Sequence, residues 1–154
     1  MHLAMILWLA HVLPQQAADP MCLATTVYLE ARGQPEIGQR AIAEVALRRR
    51  DSGVWGDSVC EVVTSPGQFA LTTLDPRNRL RDPGAFYTAL RIAIATQRDW
   101  AKPAGQRHEV VPGASYFAAR THDDPTWQNP RLIASIGDQN FYSIGHAVTG
   151  RRAQ

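Results

Sequence analysis

The feature that most constrains the fold is a predicted helix over about residues 20–32, which carries one acidic residue at the edge of its apolar face. A helix turns by about 100° per residue, so apolar side chains spaced at three or four residues form one stripe. The members of this stripe are Leu23, Ala24, Val27 and Ala31. Asp19-Pro20 is typical of a helix start, since the Asp side chain can accept from free amides and proline needs no donor there. Gly33 is typical of a helix end.

The acidic residue is Glu30, and its position suggests chemistry. Partial withdrawal from water disfavours the charged form of a carboxylate and raises its pKa, which keeps a general acid protonated near neutral pH. We therefore take Glu30 as the candidate catalytic acid. The ordinary alternative is a solvated glutamate, or an ion pair with the nearby Arg32.

Length and composition indicate one globular domain. The chain has 154 residues, of which 45% are hydrophobic and 19% charged, which is ordinary for a folded protein and argues against disorder. The net charge is +2, and every basic residue except Lys102 is arginine. A mildly cationic surface suits an anionic polymer, which can be nucleic acid or a bacterial wall.

The two ends of the chain are expected to lie outside the domain proper. Residues 1–18 form an apolar N-terminal segment, which is too short for a stable membrane span and is either a signal peptide or a first helix packed on the domain. Residues 19–145 form the predicted catalytic domain. Residues 146–154 have little apolar pattern and form a predicted tail.

The remaining pattern predicts further helices and a few short strands. A second helix runs from Pro35 to about Arg49, and a third follows the capping pair Asp82-Pro83 to Trp100. The apolar face of the second helix consists of Ile37, Ala41, Ile42, Val45 and Ala46. Turn residues predominate between 51 and 83, around one β-branched piece at Val59–Thr64. Short strands are predicted at 110–111, 114–118 and 132–136, so the fold class is α+β and mostly helical.

Two sequence features have structural explanations that compete with functional ones. The run Arg48-Arg49-Arg50 ends the second helix, where the helix dipole favours cations, so we do not interpret it as a nucleic-acid contact. Cys22 and Cys60 are too few for a disulfide scaffold or a zinc site. They either form one bridge, stabilising the fold by about 4 kcal/mol in the chain-entropy model, or are small buried hydrophobes.

Six sequence blocks in a fixed order resemble the SleB-type cell-wall hydrolases, which cleave peptidoglycan. The blocks are Tyr28-Leu-Glu-Ala-Arg-Gly33, residues 38–48, residues 59–63, Gln68-Phe69, Ala114-Ser-Tyr-Phe117 and Ile136-Gly-Asp-Gln-Asn-Phe-Tyr142. The resemblance implies a single domain similar to lysozymes and lytic transglycosylases, with Glu30 as the catalytic acid and no metal or other cofactor. It also implies a wall-facing monomer, periplasmic or extracellular, whose partner is peptidoglycan rather than nucleic acid or membrane. A small phage endolysin, which is made in the host cytoplasm and reaches the wall at lysis, would suit the same pattern.

The family resemblance further implies cleavage between N-acetylmuramic acid and N-acetylglucosamine by one carboxyl group. Glycoside cleavage usually needs two carboxylates, but in a lytic transglycosylase the muramic-acid 6-hydroxyl serves as the nucleophile. Glu36, Glu44 and Glu61 are all expected at the surface, so none competes with Glu30. The alternatives are an amidase or peptidase of the same polymer, and a catalytically inactive wall- or nucleic-acid-binding module.

The candidate substrate-binding residues are Gln68, Phe69, Tyr116, Trp127 and Tyr142. Sugar-binding grooves need aromatic faces for the rings and hydrogen-bonding tips for the hydroxyl and acetamido groups. Core packing is the alternative for the aromatic members, above all for Phe69 and Trp127. For Tyr116 and Tyr142 we expect at least one hydroxyl to reach Glu30 or the same groove.

Other clustered polar residues do not form a convincing metal site. His108-Glu109 and the stretch His122-Asp-Asp124 lack the spacing that metal ligands need on a helix. Two positions depart from the family pattern: Gln34 stands where glutamate is common, and Gln139 where histidine is often found. If either missing group assists the chemistry, activity would be altered or lost.

Overall fold

The computed structural model describes residues 1–70, 75, 77–121, 127 and 129–145. In this part of the chain the helices are α1 (Leu3–Val12), α2 (Gln15–Ala31), α3 (Glu36–Ser52), α4 (Val59–Thr64) and α5 (Pro83–Trp100). The strands are β1 (Tyr116–Ala119), β2 (Pro130–Ile136) and β3 (Gln139–Ile144). The prediction of a mostly helical α+β domain is confirmed.

The core is built around α2, which packs against α1, α3, α4 and α5. Leu23, Val27 and Ala31 are all fully buried, so the predicted apolar stripe faces this core. Helix α1 contributes Leu3, Ile6 and Ala10 to the core, while its outer face is exposed. None of the helices in the described ranges is both long and apolar enough to cross a membrane. The predicted tail, residues 146–154, lies outside the described residues.

The predicted start of α2 at Asp19-Pro20 is wrong. The helix begins at Gln15 after Pro14, and Pro20 lies inside it. Proline inside a helix removes one hydrogen bond, but here residues 15–18 continue the helix along α1. Asp19 is buried, and its carboxylate accepts from the Cys60 amide of α4 at 3.3 Å and from the side chain of Gln15, the first residue of α2, at 3.4 Å.

Helix α3 begins after Pro35 as predicted, with two corrections on its faces. Ile37 is 54% exposed, because it lies in the first turn, beyond the buried part of the stripe. Glu44, expected at the surface, is fully buried. Its carboxylate accepts from the amides of Val110 at 2.8 Å and Val111 at 3.0 Å, which explains why these two residues form a loop instead of the predicted strand.

The segment Val59–Thr64 forms a helix. Its β-branched residues did not predict one. A capping box overrides that preference: the Ser58 side chain accepts from the Glu61 amide, and the Glu61 carboxylate accepts from the Ser58 amide. A disulfide between Cys22 and Cys60 joins α4 to α2. Of the two alternatives for the cysteines, the structure therefore contains the bridge.

The three strands form an antiparallel sheet in the order β1-β3-β2. Strand β3 is central, and its Tyr142 pairs with Tyr116 of β1 and Leu132 of β2. Helix α5 begins as predicted, with the Asp82 side chain accepting from the Ala85 amide at 2.9 Å. The sheet places β1 beside the C-terminal end of α3, and this junction borders the site described next.

Candidate active site

Glu30 lies in the last turn of α2 with its carboxyl group half-buried. The backbone amide of Ala70 donates a hydrogen bond to Glu30 Oε1 at 2.5 Å. Burial raises the pKa of the Glu30 carboxyl above its ordinary value, although the Ala70 amide and the nearby Arg49 cation act in the opposite direction.

Arg49 is a buried cation next to Glu30. Its residue is 4% exposed, and burial lowers its pKa to about 10 against the opposing effects of Tyr116 and Glu30. Its Nε donates to the Ser115 carbonyl at 2.8 Å, and one terminal nitrogen donates to both the carbonyl and the side-chain oxygen of Gln68 at 3.2 Å. Arg49 therefore ties β1 to the segment that brings the Ala70 amide to Glu30.

Three aromatic rings surround the Arg49 guanidinium. Its central carbon lies 5.2 Å from the Trp55 ring centre, 4.8 Å from that of Phe69 and 5.0 Å from that of Tyr116. Such cation–π contacts strengthen when the cation is desolvated. The sequence analysis missed Arg49 because it treated residues 48–50 as a dipole-stabilising run. Arg49 nevertheless continues the apolar stripe of α3 at helical spacing, the same anomaly that singled out Glu30.

The other two arginines of this run also bind the protein itself. Arg48 donates to Glu109 at 2.7 Å and to the Ala114 carbonyl, and Arg50 pairs with Asp51 at 2.9 Å. All three guanidinium groups thus have structural partners.

The predicted aromatic residues form a row along the sheet. Tyr116 lies 5.0 Å from Trp127 between ring centres, and Trp127 lies 5.5 Å from Tyr142. Trp55, which the sequence analysis did not select, extends the row at 6.1 Å from Tyr116. The four rings of this aromatic row are those of Trp55, Tyr116, Trp127 and Tyr142.

The predicted binding residues differ in how they approach Glu30. Gln68 and Tyr116 meet at Arg49, whereas Trp127 and Tyr142 are linked to that group through ring contacts. The Tyr142 hydroxyl accepts from Asn140, and within the described residues no hydrogen bond joins Glu30 to either tyrosine hydroxyl. Phe69 is 4% exposed and packs between Arg49 and Phe117, which is the core-packing alternative.

A cavity of about 570 Å³ opens beside Arg49. Its walls include Val54, Trp55, Tyr116 and Ile144, with Ser52 and Ser115 as polar members. An apolar wall with a few polar groups is typical of a ligand site.

The two departures from the family pattern both support the end of α2. Gln139 donates through Nε2 to the Glu30 backbone carbonyl at 3.0 Å, and its buried Oε1 has no hydrogen-bond partner among the described residues. The Gln34 side chain accepts from the Asp138 amide at 2.9 Å and donates to the Asp138 carboxylate at 3.1 Å. Gln139 therefore joins the start of β3 to the last turn of α2, and Gln34 joins the segment after α2 to the β2–β3 turn.

The remaining sequence alternatives can be placed as well. Arg32 donates to the Tyr28 hydroxyl at 2.8 Å, and among the described residues it forms no ion pair with Glu30. The described residues contain no group of three or more potential metal ligands. His108 is exposed beside Asp99, and Glu109 binds Arg48, while the stretch 122–124 lies outside the described residues. Independence of a metal stays a prediction.

Comparison with known proteins identifies a family model and individual relatives that match this chain. The family model described as Cell Wall Hydrolase matches residues 33–142, a range that begins three residues after Glu30. The spore cortex-lytic enzyme of Oceanobacillus iheyensis is 36% identical over 69 residues, which are 42% of this chain and 25% of that protein. That of Halalkalibacterium halodurans is 43% identical over 51 residues, 33% of this chain and 16% of that protein. The matches thus span a quarter or less of these relatives' own length.

A solved structure resembles most of the chain. The catalytic domain of the Bacillus cereus SleB protein superposes with a TM-score of 0.59 at 27% identity, covering 81% of this chain and 89% of that one. With the family match over most of the chain, the sequence blocks and the shared fold lead to one conclusion: the chain belongs to the cell wall hydrolase family, of the SleB type.

Proposed function

We propose that this protein cleaves peptidoglycan at the glycosidic bond between N-acetylmuramic acid and N-acetylglucosamine, with Glu30 as the single general acid and base. The observation that carries the proposal is the half-buried Glu30 carboxyl, whose pKa is raised by burial and whose Oε1 is fixed by the Ala70 amide. The names of the SleB-type relatives support the polymer as substrate.

In the proposed mechanism, the hydrogen bond from Ala70 to Oε1 leaves Oε2 as the oxygen that acts as the acid. An amide donates to the unprotonated oxygen, so the proton of the neutral carboxyl group resides on Oε2. In the first step Oε2 protonates the bridging glycosidic oxygen, and the bond to the muramic-acid C1 breaks. The muramic-acid 6-hydroxyl or a water molecule then forms the new bond to C1 and gives its proton to the Glu30 carboxylate, which regenerates the acid.

Arg49 supports both protonation states of Glu30. Its cation stabilises the carboxylate that forms when the proton leaves, and its bonds to Gln68 hold the segment that presents the Ala70 amide. Arg49 is therefore proposed as a positioning residue rather than a proton donor, because its own pKa of about 10 leaves it charged at neutral pH.

We assign the glycan strand to the surface formed by the aromatic row and the cavity beside it. Sugar rings pack well on aromatic faces, and Tyr hydroxyls can bind sugar hydroxyl groups. In this assignment Tyr116, Trp127 and Tyr142 contact the strand, and Gln68 contacts an acetamido group near the cleaved bond. Phe69 supports the Arg49 side chain from within.

A digest of purified peptidoglycan, analysed by product mass, tests the proposal. Muropeptides ending in 1,6-anhydromuramic acid indicate attack by the sugar's own 6-hydroxyl, and new reducing-end muramic acid indicates attack by water. Either product supports the proposed bond. Free stem peptides with intact glycan strands would show an amidase or peptidase instead, and the absence of soluble products would show a non-catalytic wall-binding module.

A further inference from the structure

A second concave site lies on the other side of the α2 end. This basic pocket has a volume of about 400 Å³ and is lined by Tyr28, Arg32, Asn78, Arg79 and Arg81, together with two leucines. Among the residues that the structure describes, its lining contains three guanidinium groups and no carboxylate.

The three arginines of the basic pocket have no carboxylate partner in the described part of the chain. Neighbouring surface arginines differ in this respect, because Arg77 pairs with Asp75 and Arg91 with Glu36. The Asp82 carboxylate, next in sequence to Arg81, accepts from the first turn of α5. The positive charge of the pocket is therefore not neutralised by these neighbours.

Tyr28 adds a hydrogen-bond donor to this site. Its hydroxyl oxygen accepts from Arg32 at 2.8 Å and from the Asp82 amide at 3.3 Å, and neither donor can act as an acceptor. The hydroxyl proton must therefore point elsewhere, and it has no acceptor among the described residues. The Arg32 guanidinium carbon also lies over the Tyr28 ring, 5.1 Å from the ring centre, so Arg32 is held in place before any ligand arrives.

The backbone that carries Arg79 is held from both sides. The Leu3 amide donates to the Asn78 carbonyl at 3.0 Å, the Leu80 amide donates to the Met1 carbonyl at 2.9 Å, and His2 pairs with Arg79 as an antiparallel bridge. A pocket of donors with a fixed frame recognises anionic oxygens, since guanidinium–carboxylate bonds are charge-assisted and directional.

We infer that the basic pocket binds the free carboxylates of the peptidoglycan stem peptide while the glycan strand occupies the site of Glu30. This inference rests on the proposed function. Each stem peptide starts on the muramic acid residue and carries several free carboxylates. The polymer cleaved at Glu30 therefore supplies the anion locally.

The geometry of α2 allows one substrate to reach both sites. Arg32 is the residue directly after α2 and follows Glu30 by two positions, which at helical spacing corresponds to about 200° around the helix axis. A helix with side chains is about 10–12 Å across. An extended peptide of about four residues spans roughly 13–14 Å, which is enough to pass round the end of α2.

The kinetic test compares two substrates: intact sacculi and the same glycan strands after their stem peptides have been removed. The double variant Arg79→Gln/Arg81→Gln removes two charges from the pocket. The matched control, Arg77→Gln/Arg98→Gln, removes two charges from exposed arginines outside it. We expect the pocket variant to raise KM on sacculi about tenfold or more with kcat unchanged, and to leave peptide-free strands unaffected. An equal rise on peptide-free strands, or an equal rise in the control, would overturn the inference in favour of general attraction to the wall.

A binding test keeps this inference separate from the proposed function. The wild-type protein is titrated with the free stem tetrapeptide, with its fully amidated form and with inorganic phosphate. We expect the tetrapeptide to bind, its amidated form to fail, and the pocket variant to lose the binding. Phosphate binding without tetrapeptide binding would reassign the pocket to a phosphate-bearing wall polymer and overturn the inference. A wild-type protein that binds the peptide but releases no glycan fragments would refute the proposed function alone.

Discussion

At the scale of single residues, the site combines a carboxyl group and a cation that burial affects in opposite ways. Burial favours the neutral form of each, so it raises the pKa of Glu30 and lowers that of Arg49. Their mutual attraction offsets part of both effects. The result is a carboxyl group that is more easily protonated than an exposed one but still has a counter-charge when it ionises.

Glu30→Gln tests the acid directly. The amide keeps the size of the side chain and can still accept from Ala70, but it cannot deliver a proton. We expect wall-lysing activity to fall by about 10² to 10⁴, the usual loss for a general acid, with an unchanged circular dichroism spectrum. Glu36→Gln, at an exposed position of α3, is the control and should retain full activity. Near wild-type lysis by Glu30→Gln would remove this residue from the mechanism.

Arg49→Gln tests the electrostatic role of the buried cation. In the proposed mechanism the protonated carboxyl is the active form, so activity should fall as the pH rises through the Glu30 pKa. Loss of Arg49 removes an influence that lowers this pKa, so the alkaline limb of the pH–activity profile should move to higher pH.

Arg49→Lys separates charge from geometry. It keeps the cation but loses the planar hydrogen bonds to Gln68 and Ser115. We expect the alkaline limb of the pH–activity profile to stay in place and kcat to fall by up to about a hundredfold, because misplacement at a reacting centre has effects of that size. A limb that moves to lower pH in Arg49→Gln, in a protein with wild-type circular dichroism, would contradict the assigned role.

At the scale of elements, α2 and α4 are joined by a disulfide, and α4 leads into the segment that holds Gln68 and Ala70. The bond closes a loop with a sequence separation of 38 residues. We expect Cys22→Ala/Cys60→Ala to lower the free energy of unfolding by about 4 kcal/mol, which corresponds to a Tm lower by roughly 10 °C. Reduction of the wild-type protein should give the same Tm, and reductant should not change that of the double variant. An unchanged Tm after verified reduction would show that the bridge adds little to stability.

Elements with strong local periodicity could be predicted from the sequence, whereas those set by distant partners could not. The stripe of α2 and the start of α5 depend on spacing and capping, and both are confirmed. The burial of Glu44 depends on amides more than sixty residues away, and no local pattern reports it. The start of α2 was wrong because Pro20 and Asp19 imitate a helix start while α1 supports an earlier one.

The same distinction applies to the candidate site. Glu30 was selected as the candidate acid because an acid at the edge of an apolar stripe is a local anomaly. Arg49 shows the same anomaly in α3, but its position at the helix end offered a simpler explanation through the dipole. The Ala70 amide could not have been found, because a backbone donor leaves no trace in residue types. The roles of Tyr116, Trp127 and Tyr142 in substrate binding stay predictions.

At the scale of the whole molecule, two carboxyl groups should make the stability of the fold depend on pH in opposite directions. The pKa of Asp99 is lowered to about 2, from 3.8, chiefly by its hydrogen bond from Lys102 and also by the His108 amide and the Arg40 charge. A carboxyl group whose pKa is lower in the folded than in the unfolded protein stabilises the fold at pH values above its unfolded pKa. For Asp99 this contribution is lost as the pH falls from about 4 toward 2. The pKa of Glu30 is raised from 4.5 by burial, so its contribution is present below that value and lost as the pH rises through the folded pKa.

Thermal unfolding of Asp99→Asn and Glu30→Gln at several pH values should separate these effects. We expect Asp99→Asn to lower Tm at about pH 7, with the difference from wild type closing as the pH approaches 2. Glu30→Gln should raise Tm at about pH 7, because the buried carboxylate no longer has to ionise, and this difference should close below about pH 4.5. Opposite signs at neutral pH would mean that the carboxyl group proposed as the acid is maintained at the expense of stability. If Glu30→Gln instead lowered Tm at neutral pH, the ionised carboxylate would be a net stabilising partner of Arg49 and the Ala70 amide, and its acid role would lose its physical basis.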